Sequence, residues 1–427
     1  MARLGWLSLA QPSQAFYTGF VEDDMDIVQI QGHIKAYDWG NSSFIPSLLG
    51  LPEDGTSKAE LWFGTHPSGD AVVLETGESL SSFLKKDSLH WFGQDHLDCF
   101  SDQLPLLLKV LAIERPLSIQ VHPTKAQAEE GWKHEEYLRT RVAKDLWNYK
   151  DPNRKAEVIY ALTPITAMCG FQPLEHIIPS LKLVIPDGFA AHFSYLEESA
   201  QDPDGLLARF FEQLYTMKKE ELVILIDEYL ASLKAHEELP FASGDGRFLE
   251  SKGIALSCAS AFPHDPGLFA PFFLNVKHLA PGEALYLEPR TLHAYVLGNG
   301  IELMSASDNV LRGGLTNKKV DVKELLNILE IKGKEVEKVP TLTGSSGRLH
   351  LLTPTEEFHL MVLKPGKYEI HDRLSIELLF VTEGKVTFIS DQETRELKKG
   401  SCHVVAASLP SYTLEVEGLL FIADVPR

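Results

Sequence analysis

The sequence predicts a mainly β protein with a helical insertion, built as two jelly-roll barrels plus an α-helical domain. Three changes of pattern along the chain carry that expectation. From Ile27, short apolar or alternating runs such as VQIQG, LPLLLKVLAI and PLSIQVHP are bounded by Gly, Pro, Asn and Asp, as strands are. Between about 172 and 260, apolar residues fall at Leu206, Leu207, Phe210, Phe211 and Leu214, and again at Leu222, Leu225, Ile226, Tyr229 and Leu233. Steps of three and four mark amphipathic helices. From about 348, runs such as FHLMVLKPGKYEI, SIELLFVTEGKVTFIS and YTLEVEGLLFIADV return to short strands, joined by PGK, TEGK and KKG turns.

Taken in order, residues 1–26 read as an N-terminal extension. MARLGWLSLAQPSQAF imitates a signal peptide but lacks a convincing apolar core, and Met25 is an alternative start of translation that mass spectrometry of the N-terminus would test. Residues 27–171 and 261–335 form the first, discontinuous barrel, and 172–260 the helical insertion. In FFLNVKHLAPGEALYLEP, Pro281-Gly282 is a turn between two strands, and a helix is predicted from Asp321 to Ile328. The charged run Lys332 to Lys338 reads as a solvated connection into the second barrel, 336–427.

Composition narrows the class. The chain has 427 residues with 40 Lys+Arg against 60 Asp+Glu, a formal charge of −20, which excludes a generally basic nucleic-acid-coating protein. With 44% hydrophobic residues it can bury several cores, so disorder is not its main state. Its four cysteines are too scattered for a metal knot or a disulfide framework, and a reducing, cytoplasmic setting fits them. No apolar run reaches the roughly 18–20 residues of a membrane span, and no membrane or protein partner is indicated.

The candidate chemistry begins at Ser118-Ile119-Gln120-Val121-His122. In a strand, residues two apart share a face, so Ser118, Gln120 and His122 point together. Lys155 and Glu157 repeat that spacing at the entry to EVIY, and His293 follows a turn at EPRTL. Gln120, His122, Glu157 and His293, on strands of one barrel, can converge on a divalent metal. With one anionic ligand, zinc keeps a charge near +1 and remains a Lewis acid. The run from 293 to 318 adds Glu302, Asp308, Asn309 and Arg312, which suit proton transfer and stabilisation of a developing anion.

These residues carry a resemblance. AYDWG at 36–40, AELWFGTHPSG at 59–69, PLLLKVLAIERPLSIQVHP at 105–123, YKDPNRKAE at 149–157, LTPITAMCGF at 162–171 and HAYVLGNGIELMSASDNVLRGGLT at 293–316 resemble the type I mannose-6-phosphate isomerases (phosphomannose isomerases). The match runs in order from about 29 to 330 and more loosely to the C-terminus. It implies cupin-type barrels, one zinc ion per chain on Gln120, His122, Glu157 and His293, and reversible interconversion of mannose 6-phosphate and fructose 6-phosphate through a cis-enediol or enediolate. It also implies a place between glycolysis and mannose activation. Arg312 would lie at the catalytic centre, with Lys109, Ser118 and Lys155 lining the pocket.

For the acid/base group, Asp308, Glu302, Lys155 and water at the metal stay open. Lys109, Lys155, Arg154 and Ser118 are the candidates for the phosphate, and Trp39 and Tyr295 for pocket walls. Several positions depart from the family pattern. Arg154 and Ala156 replace a histidine and a proline beside Lys155, Arg290-Thr291-Leu292 precedes His293 where Thr-Pro is common, and Gly313 and Asn317 replace an alanine and a proline. None removes an expected ligand. The second barrel has no Gln-x-His with a matching Glu and is expected to bind no metal. The alternatives are a non-catalytic sugar-phosphate-binding cupin and, behind it, an iron cupin dioxygenase. His33, His66, His96 and His403 have no legible partners.

Overall fold

The structure, a computed structural model, describes residues 25–143, 146–198, 201–235, 247–344, 346–371 and 373–426, the side chains of 247–249 excepted. The extension before Met25 lies outside the described residues. Three antiparallel sheets of ten, eight and four strands form the β part, and no helix of the described residues is long and apolar enough to cross a membrane.

The ten-stranded sheet is organised by one long strand, His293–Ser305. Its first half pairs with Ile119–Val121 and Ile165–Phe171, its second half with Leu106–Ile113 and Glu157–Ala161. Between Tyr295 and Leu297 the register slips by one residue, and such a bulge moves every later side chain to the opposite face. His293 and Glu302 are nine positions apart and would otherwise point oppositely. After the bulge both face the barrel interior, while Ile301 and Leu303 face the other side, against the second barrel. Gly298, at φ 115°, makes this crossing possible, because a Cβ there would strike the carbonyl oxygen of Pro164.

Alternation sorts the wall strands in the same way. In Leu106–Ile113, Leu106, Leu108, Val110 and Ala112 join the core between the barrels. Leu111 and Ile113 join Ile159, Ala161, Cys169 and Tyr295 inside the first barrel. Both faces of this strand are covered, which explains its unbroken apolar run.

The predicted helices appear at Pro203–Thr216 and Lys219–Ala235, the first opened by Asp202, whose carboxylate accepts from Gly205 N–H at 2.9 Å. Leu207, Phe210, Phe211 and Leu214 are buried with Tyr229 and Leu233 against the outer face of the first barrel, each side chain contributing about 1.5–3 kcal/mol. Val322–Ile328 is the predicted helix after 320, capped by Asp321. Short helices also occur where only strands were expected, at Phe44–Leu49, Leu80–Lys86, Ser88–Phe92, Gln94–Phe100 and Lys125–His134. Most of them span too few turns for a helical period to stand out. The last has a sequence signal, a capping box between Thr124 and Gln127.

Around the C-terminal core, Ile27, Met361, Tyr368, Leu379, Phe388, Tyr412 and Leu420 fill the space between the eight- and four-stranded sheets. One strand crosses the expected division. Ile27–Gln31 pairs with Cys402–Val405, so it extends the C-terminal sheet rather than the first barrel.

Candidate metal centre and active site

Three short pairings assemble the centre. Gln120 stands opposite His293 on one side and opposite Arg312 on the other. Directly opposed residues share a sheet face, so the amide, the imidazole and the guanidinium project together, and Ser118 lies two residues before them.

His122 and His293 are both 1% exposed. The Nδ1 of His122 lies 2.7 Å from the carbonyl oxygen of Asn309, and that of His293 lies 2.8 Å from the carbonyl of Thr291. A carbonyl only accepts, so each Nδ1 carries the hydrogen and each Nε2 keeps its lone pair. Those Nε2 atoms face the two oxygens of Glu157, His122 at 3.4 Å from Oε1 and His293 at 3.4 Å from Oε2. A tetrahedral ion with ligand bonds of about 2.0–2.1 Å sets its ligands about 3.3 Å apart. Glu157 Oε2 and His293 Nε2 are buried and have no hydrogen-bond partner. Two converging imidazole lone pairs and a carboxylate fit zinc, and Gln120 stands opposite one of the two histidines. Among the described residues this is the one such cluster of histidine, cysteine or carboxylate donors.

Electrostatics prepare the donors. Burial raises the cost of ionising Glu157, but the Lys155 charge, 2.5 Å from Oε1, opposes it, and the carboxyl lies well below the usual range. Burial and the Lys155 charge push His122 down to about 4, so it is neutral at physiological pH. Lys155 Nζ also lies 3.4 Å from His122 Nε2, inside the cluster.

Other expected residues divide between wall, opening and elsewhere. Lys109 is buried, 2.9 Å from Glu302 and 3.9 Å from Glu60, and lies over the Trp62 ring. Two carboxylates already balance its charge. Burial raises the pKa of Glu302, although Lys109 opposes the shift. Tyr295 is 1% exposed, with burial and the nearby Glu302 carboxylate both raising its pKa, and Trp39 packs on the same interior cluster.

Arg154 is paired with a carboxylate as well. Its Nε donates to Glu357 at 2.7 Å, and Nη2 reaches the same carboxylate, tying it to the C-terminal part of the chain.

Asp308 is held by His66. Ser68 N–H donates to His66 Nδ1 at 3.1 Å, so His66 Nε2 carries the hydrogen that meets Asp308 Oδ1 at 3.2 Å. From sequence alone His66 shows no partner, because 242 positions separate it from Asp308. Asn309, wholly buried, accepts from Lys150 N–H at 2.7 Å and donates to the carbonyls of Asp151 and Asn153 at 2.7 and 2.8 Å. It staples the YKDPN turn to the SDN turn while its own carbonyl orients His122.

Arg312 is half-buried, has no carboxylate partner among the described residues, and burial lowers its pKa. Lys318 lies near enough for burial and the Arg312 charge to lower its own. Sequence reasoning missed Lys318, whose only signal was a place six residues after Arg312.

The comparisons with known proteins agree with this architecture. Residues 27–174 match the family described as phosphomannose isomerase type I, catalytic domain. Mannose-6-phosphate isomerase of Salmonella typhimurium is 32% identical over 384 residues, covering 88% of this chain and 93% of that protein. The Homo sapiens protein of the same name is 33% identical over 416 residues, covering 91% of each. A solved mannose 6-phosphate isomerase bound with zinc and yttrium superposes with a TM-score of 0.82 at 30% identity, over 94% of this chain and 100% of that one. The chain belongs to the type I phosphomannose isomerase family.

Proposed function

We propose that the protein is a zinc-dependent aldose–ketose isomerase that interconverts D-mannose 6-phosphate and D-fructose 6-phosphate. The observation that carries this reading is a buried His-Glu-His cage with a half-buried arginine, which meets no carboxylate among the described residues, two strands from one of its histidines. In the proposal Gln120, His122, Glu157 and His293 hold one zinc ion, which supplies Lewis acidity toward substrate oxygens.

The remaining work falls to the chain itself. Isomerisation removes the proton from C2 of the aldose, passes through a cis-enediolate and delivers a proton to C1, while the C2 hydroxyl proton moves to the C1 oxygen. Arg312 faces the developing oxyanion and offsets its charge. Glu302 is our assignment for carrying the carbon proton: it is 3% exposed, held by Lys109, and near enough to Glu157 to feel its charge. Lys318 and Ser118 attract the phosphate, Lys155 keeps Glu157 ionised, and Asp308 is held at the opening by His66. Trp39 and Tyr295 serve as walls. The four free thiols suit a cytoplasmic location, which cell fractionation would test.

The test is a coupled assay with mannose 6-phosphate before chelation, after chelation and after zinc is restored. Turnover should vanish with the metal and return with it. Fully metallated protein that binds the sugar phosphate without turnover would replace the proposal with a binding role.

A further inference from the structure

A cavity of about 190 Å³ opens at one end of the C-terminal barrel, lined by Arg348, His350, His359, Arg373, Glu377 and Asp424 among others. Strand register explains why these groups meet. His350 stands opposite Met361, two residues beyond His359; His359 stands opposite Asp424; and Asp424 stands opposite Glu377. All therefore share the sheet face that carries Met361 into the barrel core.

The hydrogen bonds show which charges are already satisfied. Glu377 is taken by Arg373 at 2.5 Å and by the Tyr412 hydroxyl at 2.8 Å. Arg373 donates through Nη1 to the carbonyls of Ala406 and Leu409 and through Nη2 to that of Val405. Asp424 accepts from His359 Nδ1 at 3.0 Å, which leaves His359 Nε2 as an acceptor for His350 Nδ1–H at 3.2 Å. The two rings lie nearly parallel, 13° apart. Arg348 donates through Nε to Ser346 Oγ at 2.8 Å and meets no carboxylate among the described residues.

Glu377 is thus paired with the Arg373 charge and Asp424 is hydrogen-bonded by His359, and Arg348 and His350 remain toward the cavity. Burial, His359 and Arg348 together disfavour a charge on His350, while Asp424 favours it through the ring between them. A negative ligand would reverse that balance and let His350 take a proton with Asp424 as its distant counter-charge.

We infer that this cavity is a second ligand site, distinct from the catalytic pocket, which takes a small oxyanion, a phosphate or carboxylate group, between Arg348 and His350. Metal binding is disfavoured because the ring nitrogens are spent on each other and on Asp424, in a chain rather than in convergence.

The test titrates inorganic phosphate calorimetrically into zinc-loaded, full-length protein with the catalytic pocket saturated by fructose 6-phosphate. Phosphate should still bind, and Arg348→Met or His350→Gln should weaken that binding by about tenfold or more with kcat and KM for mannose 6-phosphate unchanged. Acetate in place of phosphate identifies which oxyanion is preferred. In the same samples, the His350 ring should move from one to two nitrogen-bound protons by long-range proton–nitrogen NMR. Absence of phosphate and acetate binding, binding indifferent to Arg348→Met, or a second zinc equivalent abolished by His350→Gln would each overturn the inference. The three overturning outcomes are read from binding and metal content without turnover, so this site and the isomerase reading fail separately.

Discussion

The two barrels of this chain each gather histidines and a carboxylate near one end, yet they present them differently. In the first, His122 and His293 each donate Nδ1–H to a backbone carbonyl, and both Nε2 atoms turn to Glu157. In the second, His350 donates to His359 and His359 to Asp424, so the same residue types spend their nitrogens on one another. Similar side chains become a metal cage or a proton chain according to where their second nitrogen is anchored. The anchors, the carbonyls of Asn309 and Thr291, are backbone atoms of neighbouring turns.

The largest effect that would break this contrast concerns the metal. His293→Ala is expected to lose zinc and all measurable turnover, whereas His359→Ala should retain full zinc by elemental analysis. Equal zinc loss in both variants would mean that the second barrel also contributes to metal retention. Next in size, Arg312→Ala should keep its zinc and lose about 10²–10³ in kcat, because the residue lies beside Gln120 without being a donor to the ion. Zinc loss in that variant would move Arg312 from chemistry to cage.

A smaller effect tests the join between the two regions. The Arg154–Glu357 pair is only part-exposed, at 26% and 20% of its side chains, so Arg154→Met should cost about 1–3 kcal/mol in urea unfolding with KM for mannose 6-phosphate unchanged. A raised KM would return Arg154 to the phosphate site.

The smallest effect is on acid stability. Burial, with the nearby Arg395 charge, pushes His403 down to about 3, against about 6.5 in the unfolded chain. Its neutral form is favoured by folding, so its contribution is whole above the unfolded value and declines as pH falls from there toward about 3. His403→Leu should flatten the pH dependence of the unfolding midpoint by up to about one proton in that window; an unchanged slope would place the acid sensitivity elsewhere.

Much of this was legible without coordinates, for identifiable reasons. Gln120 and His122 could be paired because strand geometry fixes which neighbours share a face. Helices 203–216 and 219–235 declared themselves through several turns of apolar spacing, which the short helices between 44 and 134 could not. The partners of Lys109 and Arg154 are not legible because sequence shows a charge but not what meets it: Glu302 lies 193 residues from the first and Glu357 lies 203 from the second.

The sequence by itself determined the local grammar: strand faces, long helices, the capping of Val322–Ile328 and the donor types from which a zinc site can be made. Tertiary structure decided which of those donors are free. A one-residue bulge at Tyr295/Leu297 turns Glu302 into the same interior as His293, and register alone sets Arg312 beside Gln120. Facing and spacing are short-range consequences of backbone geometry, whereas charge partners, tautomers and desolvation depend on atoms that only folding brings within a few ångströms.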